Sequence, residues 1–192
     1  MKTLLISASF VAAVLMPAAA QAQALPPAIV AVVDLDKVTS SCTACKSANA
    51  ALQSQLTAEQ NREKTLSAPL ETERASIQAA VDALKGKDPD AALQARIKAF
   101  QTKAQQAQEE VERGRAQLQA NQAYIRKQIA DKLGPIYSQV MTRRGANILV
   151  EQGATLASGA TLDVSNDVLA ALNTALPSVA TTAPAATTPQ GR

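Results

Sequence analysis

Two long runs of 4-3 apolar spacing, separated by one cluster of turn residues, leave this chain few folds to choose from. The first run puts Val38, Cys42, Cys45, Leu52, Leu56, Leu66, Leu70, Ile77, Ala80 and Leu84 on one helical seam, interrupted by polar Asn49, Glu59, Glu63 and Glu73. Gly86-Lys87-Asp88-Pro89-Asp90 then supplies turn chemistry, and the chain should reverse there. The spacing resumes at Leu93, Ile97, Phe100, Ala104, Ala107, Val111, Gly114, Leu118, Asn121 and Ile125. After a register slip it continues through Ile129, Leu133, Ile136 and Val140. The expected object is an antiparallel helical hairpin over 35–144 with its tip near 86–90, and arms of about 40 residues would reach ~60 Å. Such arms have little interior, so the hairpin needs an anchor at its base.

Short apolar segments at both ends of the hairpin supply candidates for that anchor. Ala28 to Val33, bounded by Pro26-Pro27 and Asp34, reads as a buried strand, and Asp34 and Asp36 stand where a helix starting near Leu35 would be capped. Gly145 reads as the stop of the helix ending in Arg143-Arg144, and Asn147 to Glu151 as a second strand. Gly153 and Gly159 punctuate two further extended segments, around Ala154-Thr155-Leu156 and Thr161 to Val164. Ser165 or Asn166 would cap a last helix over Asp167 to Asn173. Ile29, Val30, Val32, Val33, Ile148, Leu149 and Val150 are too few to close a core in one chain, so the body at 28–34 and 146–176 is expected to be shared between chains. The fold class is α+β, mostly α.

Residues 1–24 carry the features of a cleaved export signal: Lys2, an apolar stretch from Thr3 to Met16, Pro17, and a small-residue run with candidate cleavage sites at Ala20, Ala22 and Ala24, the last two favoured. The stretch is shorter than the ~20 residues of a spanning helix. Residues 177–192, rich in Thr, Ala and Pro, read as a disordered tail.

Composition narrows the chemistry. The chain has no His and no Trp, which removes Ser-His-Asp triads, His-bearing zinc sites and most general-base chemistry near neutral pH. Only 2% of residues are aromatic, and 19 basic against 16 acidic residues form no basic run of the kind that grips nucleic acid. We therefore expect a non-enzyme with no cofactor and no nucleic-acid partner. Cys42-Thr43-Ala44-Cys45 reads chiefly as a structural pair filling two seam positions, bridged or free, with a metal half-site or a redox site as less favoured alternatives. Pro69 and Gly114, one in each run, read as a hinge pair at similar height. Lys85, Lys87, Arg96, Lys98 and Lys103 give the tip a modest basic surface that could meet anionic lipid or acidic loops, although a solvated helical face is the simpler reading.

The order of these elements, with Ile29 to Asp36 at the start and Leu162 to Asn173 at the end, resembles the Skp/OmpH family of periplasmic chaperones over roughly 28–175. The resemblance implies a trimer with a central β-body and three helical tentacles around a cavity. It also implies an ATP-independent holdase that keeps unfolded outer-membrane β-barrel proteins in solution in the periplasm, and it offers no catalytic residues. The Cys pair departs from the family pattern. A structural coiled-coil protein that spaces or tethers envelope components is the alternative.

Overall fold

The computed structural model describes residues 25–184; the expected export signal at 1–24 and the last residues, 185–192, lie outside the described residues. The chain enters through strand β1 (Val30–Val33), and Asp34 turns it into helix α1 (Leu35–Ser41) by accepting the Lys37 N–H at 2.8 Å. The helix expected to run unbroken from Leu35 stops at Cys42, whose ψ of 130° lies outside the helical range. There the Cys42 sulfur accepts the Cys45 N–H at 3.2 Å and caps a new helix, α2 (Thr43–Ala83). Cys42 and Cys45 are joined as a disulfide, with Cα atoms 5.1 Å apart. The N–H of Thr43, left without an intrahelical partner by the break, is taken by the Asn173 side chain at 2.9 Å.

Helix α2 has 41 residues and α3 (Ala91–Arg144) has 54, so they extend for ~60 and ~80 Å. Between them Lys85 and Gly86 adopt φ values of 49° and 88°, the left-handed geometry that lets the chain leave α2, and Asp90 caps α3 by accepting the Leu93 N–H at 2.8 Å. The two helices lie side by side with chain directions opposed: Gln55 bonds Asn121, Glu63 bonds Arg115, Glu73 bonds Lys103 and Ser76 bonds Arg96. Helix α3 passes through Gly134-Pro135 without interruption and ends at Gly145, with φ 66°, as its sequence indicates.

The entire helical pair is a crossover between β1 and strand β2 (Ile148–Glu151), which pair in parallel with Val30 opposite Ile148 and Val33 opposite Glu151. The two extended segments expected after β2 are instead short 3₁₀ turns at Gln152–Ala154 and Ala160–Leu162. Only Asp163 bridges to Val32, because this part of the chain meets β1 for too short a span to build a third strand. Helix α4 (Ser165–Ala175) starts earlier than expected and is not capped by Ser165 or Asn166; the Ser165 hydroxyl, fully buried, instead accepts the Asp34 N–H at 2.8 Å. That bond ties the end of β1 to the start of α4.

The core sits at the base. Ala31 and Val33 of β1, Val38 of α1, the disulfide, Leu133, Ile136 and Val140 of α3, and Val168 and Leu172 of α4 form one buried cluster. Most of these residues come from the helices and few from the strands. Of the tail expected at 177–192, residues 177–184 lie along α2 and α3 and are bonded to both, and the rest lies outside the described residues.

Candidate functional site

Past the base the arms have no interior. No residue of α2 after Ala48 and none of α3 before Asn121 is buried. The seam residues Leu66, Leu70 and Ile77 of α2, with Ile97, Phe100 and Val111 of α3, stay half-buried, while Leu56 and Val81 are exposed. Two interruptions of the seam have a role across the pair. Glu63 takes both carboxylate oxygens to Arg115 at 2.8 and 2.9 Å, and Glu73 meets Lys103 at 3.0 Å. These are exposed pairs, each contributing up to about 1 kcal/mol, so they set register more than stability.

Loose packing leaves clefts. One of about 560 Å³ opens between the start of α2 and α3, walled by Leu52, Ile125, Ile129 and Leu133. A second of about 470 Å³ continues it outward along Leu52, Leu56 and Leu118, the two sharing Asn49, Leu52 and Gln122. Together they form an apolar channel edged by amides, with no carboxylate in its outer part. The outer part can accept varied apolar segments without a charged partner to select among them, while Asp36 and Arg126 edge the inner cleft. On the other flank of Leu118 the groove holds the chain's own residues 177–184 through the amide side chains of Gln55, Gln117, Asn121 and Gln128. In the sequence Asn121 counts only as a seam position, and its polarity there, seven residues before Gln128, is the one signal of this amide row.

The residues singled out above fall in several places. Of the strand residues, Val32 and Val33 are buried, Val30, Leu149 and Val150 are half-buried, and Ile29 and Ile148 remain 50% and 42% exposed. Ile29, Ile148 and the exposed Leu156 and Leu162 thus leave apolar surface open at the end of the molecule opposite the tip. Pro69 and Gly114 are not brought together. Gly114 faces Glu59, whose carboxylate fills the space a Cβ would take, whereas Leu66 and Leu70 beside Pro69 share a cleft with Ala104, Ala107 and Val111. The offset is about ten residues of α2, roughly 15 Å. At the tip, Arg96 and Lys103 are engaged across the pair, while Lys85, Lys87 and Lys98 join none of the ion pairs of the described residues.

Electrostatics concentrate at the base. Ser165 holds the Asp163 carboxyl below the usual carboxylate range, by its side chain first and then through its N–H at 2.8 Å. Burial, helped by Glu151, pushes the Tyr137 phenol up, and the hydrogen bond that Arg144 donates to the Asp167 carboxylate raises Arg144. Among the described residues no group of His, Cys, Asp and Glu could hold a metal ion, and no helix is long and apolar enough to cross a membrane.

No curated protein sequence matches the chain. A crystal structure from Caulobacter crescentus CB15, described as that of a proposed outer membrane chaperone (OmpH-like), shares the fold: the TM-score is 0.68 at 17% identity, over 85% of this chain and 96% of that one. The family model for outer membrane protein (OmpH-like) matches residues 29–172. That match runs from the edge of β1 through both long helices to α4, and the chain belongs to the OmpH/Skp-like family.

Proposed function

We propose that the chain is an ATP-independent holdase of the periplasm, which binds unfolded outer-membrane β-barrel proteins between the helical arms of a homotrimer and keeps them in solution. One observation carries this reading: two long helices hold no buried residue outside the base, yet keep a row of half-buried Leu, Ile, Val and Phe along their length. Ordering so much helix without a core has a large entropic cost, and the surface it presents is what the arms contribute. Family membership supports the same reading. The apolar surface at Ile148 of the two-stranded parallel sheet, and at Ile29 and Leu156 outside it, supports burial against further copies of the chain. The unpaired Lys85, Lys87 and Lys98 support a weak contact between the tip and anionic lipid.

The test mixes the exported form with a β-barrel protein unfolded in urea, dilutes the denaturant, and measures both the client left in solution and the mass of the complex. A client held in solution, in a complex of three chains with one client, is the expected result. Precipitation at the rate seen without the protein would refute the holdase and leave the spacer or tether.

A further inference from the structure

Residues 177–184 are bound to the arms in an unusual way: every hydrogen bond they make there is through the main chain. Gln128 accepts the Ala180 N–H at 3.0 Å and donates to the Ala180 carbonyl at 2.8 Å, as a neighbouring strand would. Asn121 accepts the Ala183 N–H at 2.8 Å, Gln117 donates to the Ala183 carbonyl at 3.4 Å, and Gln55 donates to the Thr181 carbonyl at 3.1 Å. The amides also brace one another, with Asn121 donating to Gln55 and accepting from Gln117, both at 2.8 Å. Asn121 is only 5% exposed, so this is a built site.

The spacing has a geometric basis. Seven residues of helix, from Gln128 back to Asn121, rise ~10.5 Å, and the tail covers that interval in three residues, from Ala180 to Ala183, with a bend at Thr182 between them. Amides a heptad apart on α3 therefore reach main-chain groups three residues apart in the bound segment. The next heptad position is Gly114, which has no side chain, and there the groove opens into a cleft of about 260 Å³ edged by Glu59 and Thr182.

We propose that the amide row Gln55, Gln117, Asn121 and Gln128 is a docking site for the main chain of an unfolded polypeptide, and that the chain's own segment Pro177–Pro184 occupies it as an internal competitor. The proposal rests on the chaperone reading above and gives it a second, polar subsite beside the apolar channel. Main-chain groups are what all unfolded clients share, whereas Ala180, Thr181, Thr182 and Ala183 offer small side chains that the site does not read. A tethered segment of this kind lowers the apparent affinity for a client by the fraction of time it stays docked.

Reduced, carboxymethylated α-lactalbumin, which remains unfolded without denaturant, is the probe. Its dissociation constant is measured for the full chain, for a chain ending at Val179, and for the full chain carrying Ala180→Pro and Ala183→Pro, which keep the tail but remove both N–H donors. The expected result is binding at least about threefold tighter in both altered chains. An excess of free peptide 177–184 should reverse the gain in the shortened chain, and Gln128→Leu with Asn121→Leu there should weaken binding. Gln128→Leu alone, at a half-buried position, covers the case in which the double variant does not fold. Faster amide exchange at Thr181 and Thr182 in the proline variant, with no tightening for the probe, would overturn the proposal, as would a tail that stays docked without its donors. Failure of the chaperone reading registers separately, as a β-barrel client that precipitates while α-lactalbumin still competes with the peptide.

Discussion

Replacing Cys42 and Cys45 together by Ala should cost about 4 kcal/mol, and the structure separates that loss into parts. Closing the short loop between the two positions restrains the unfolded chain by about 2 kcal/mol in the loop-entropy account. The Cys42 sulfur also caps α2 by accepting the Cys45 N–H, a contact whose loss removes about 1 kcal/mol. Both side chains lie in the core, at 0% and 2% exposure, and truncating them to Ala loses about 1 kcal/mol of apolar burial. Reduction of the unaltered protein removes the first part only, since the thiols stay in place, and should lower stability by about 2 kcal/mol. Guanidinium unfolding followed by far-UV circular dichroism, with and without reductant and at fixed protein concentration, measures both losses. The reasoning fails if the double variant lies within about 1 kcal/mol of the parent. It fails equally if helicity rises, because α1 and α2 would then have fused and the bridge would not be what directs the chain out of the helix at Cys42.

Three further outcomes follow from particular contacts. Ile148→Asp puts a charge on the open strand face while leaving the buried cluster of the single chain untouched, so light scattering should show a smaller particle with its helical signal retained. Gly114→Ala gains up to about 1 kcal/mol of helix propensity but must push aside the Glu59 carboxylate, the free end of a flexible side chain. A small rise in melting temperature is expected, and a fall would mean Glu59 cannot move. The Asp163 carboxyl titrates below its unfolded value, so its contribution is present above the unfolded pKa, near 3.9, and is lost as pH falls through the lower folded value. Asp163→Asn should flatten the acid limb of the stability curve below about pH 4, and an unchanged limb would refute the assignment.

The long helices, their turn and the end of α3 were legible in the residues because each signal is local. A 4-3 seam, the turn residues at 86–90, and Gly145 after Arg143-Arg144 act within one or two turns of backbone, and the folded chain has all of them in place. The family was equally legible, because the order of elements carries it. The remaining features depend on partners far along the chain. Cys42 leaves the helix where Asn173, 130 residues away, takes the Thr43 N–H, and Ser165 forgoes capping α4 because Asp34, 131 residues earlier, uses its hydroxyl. Glu59 against Gly114 and the amide row under Ala180 and Ala183 arise only when two helices of opposite direction settle into one register. Periodicity states which face of each helix is apolar, but a seam this rich in Ala and Gln packs nearly as well one turn higher or lower, so no local pattern distinguishes the registers. The closed base, where α3 and α4 meet β1, selects one of them.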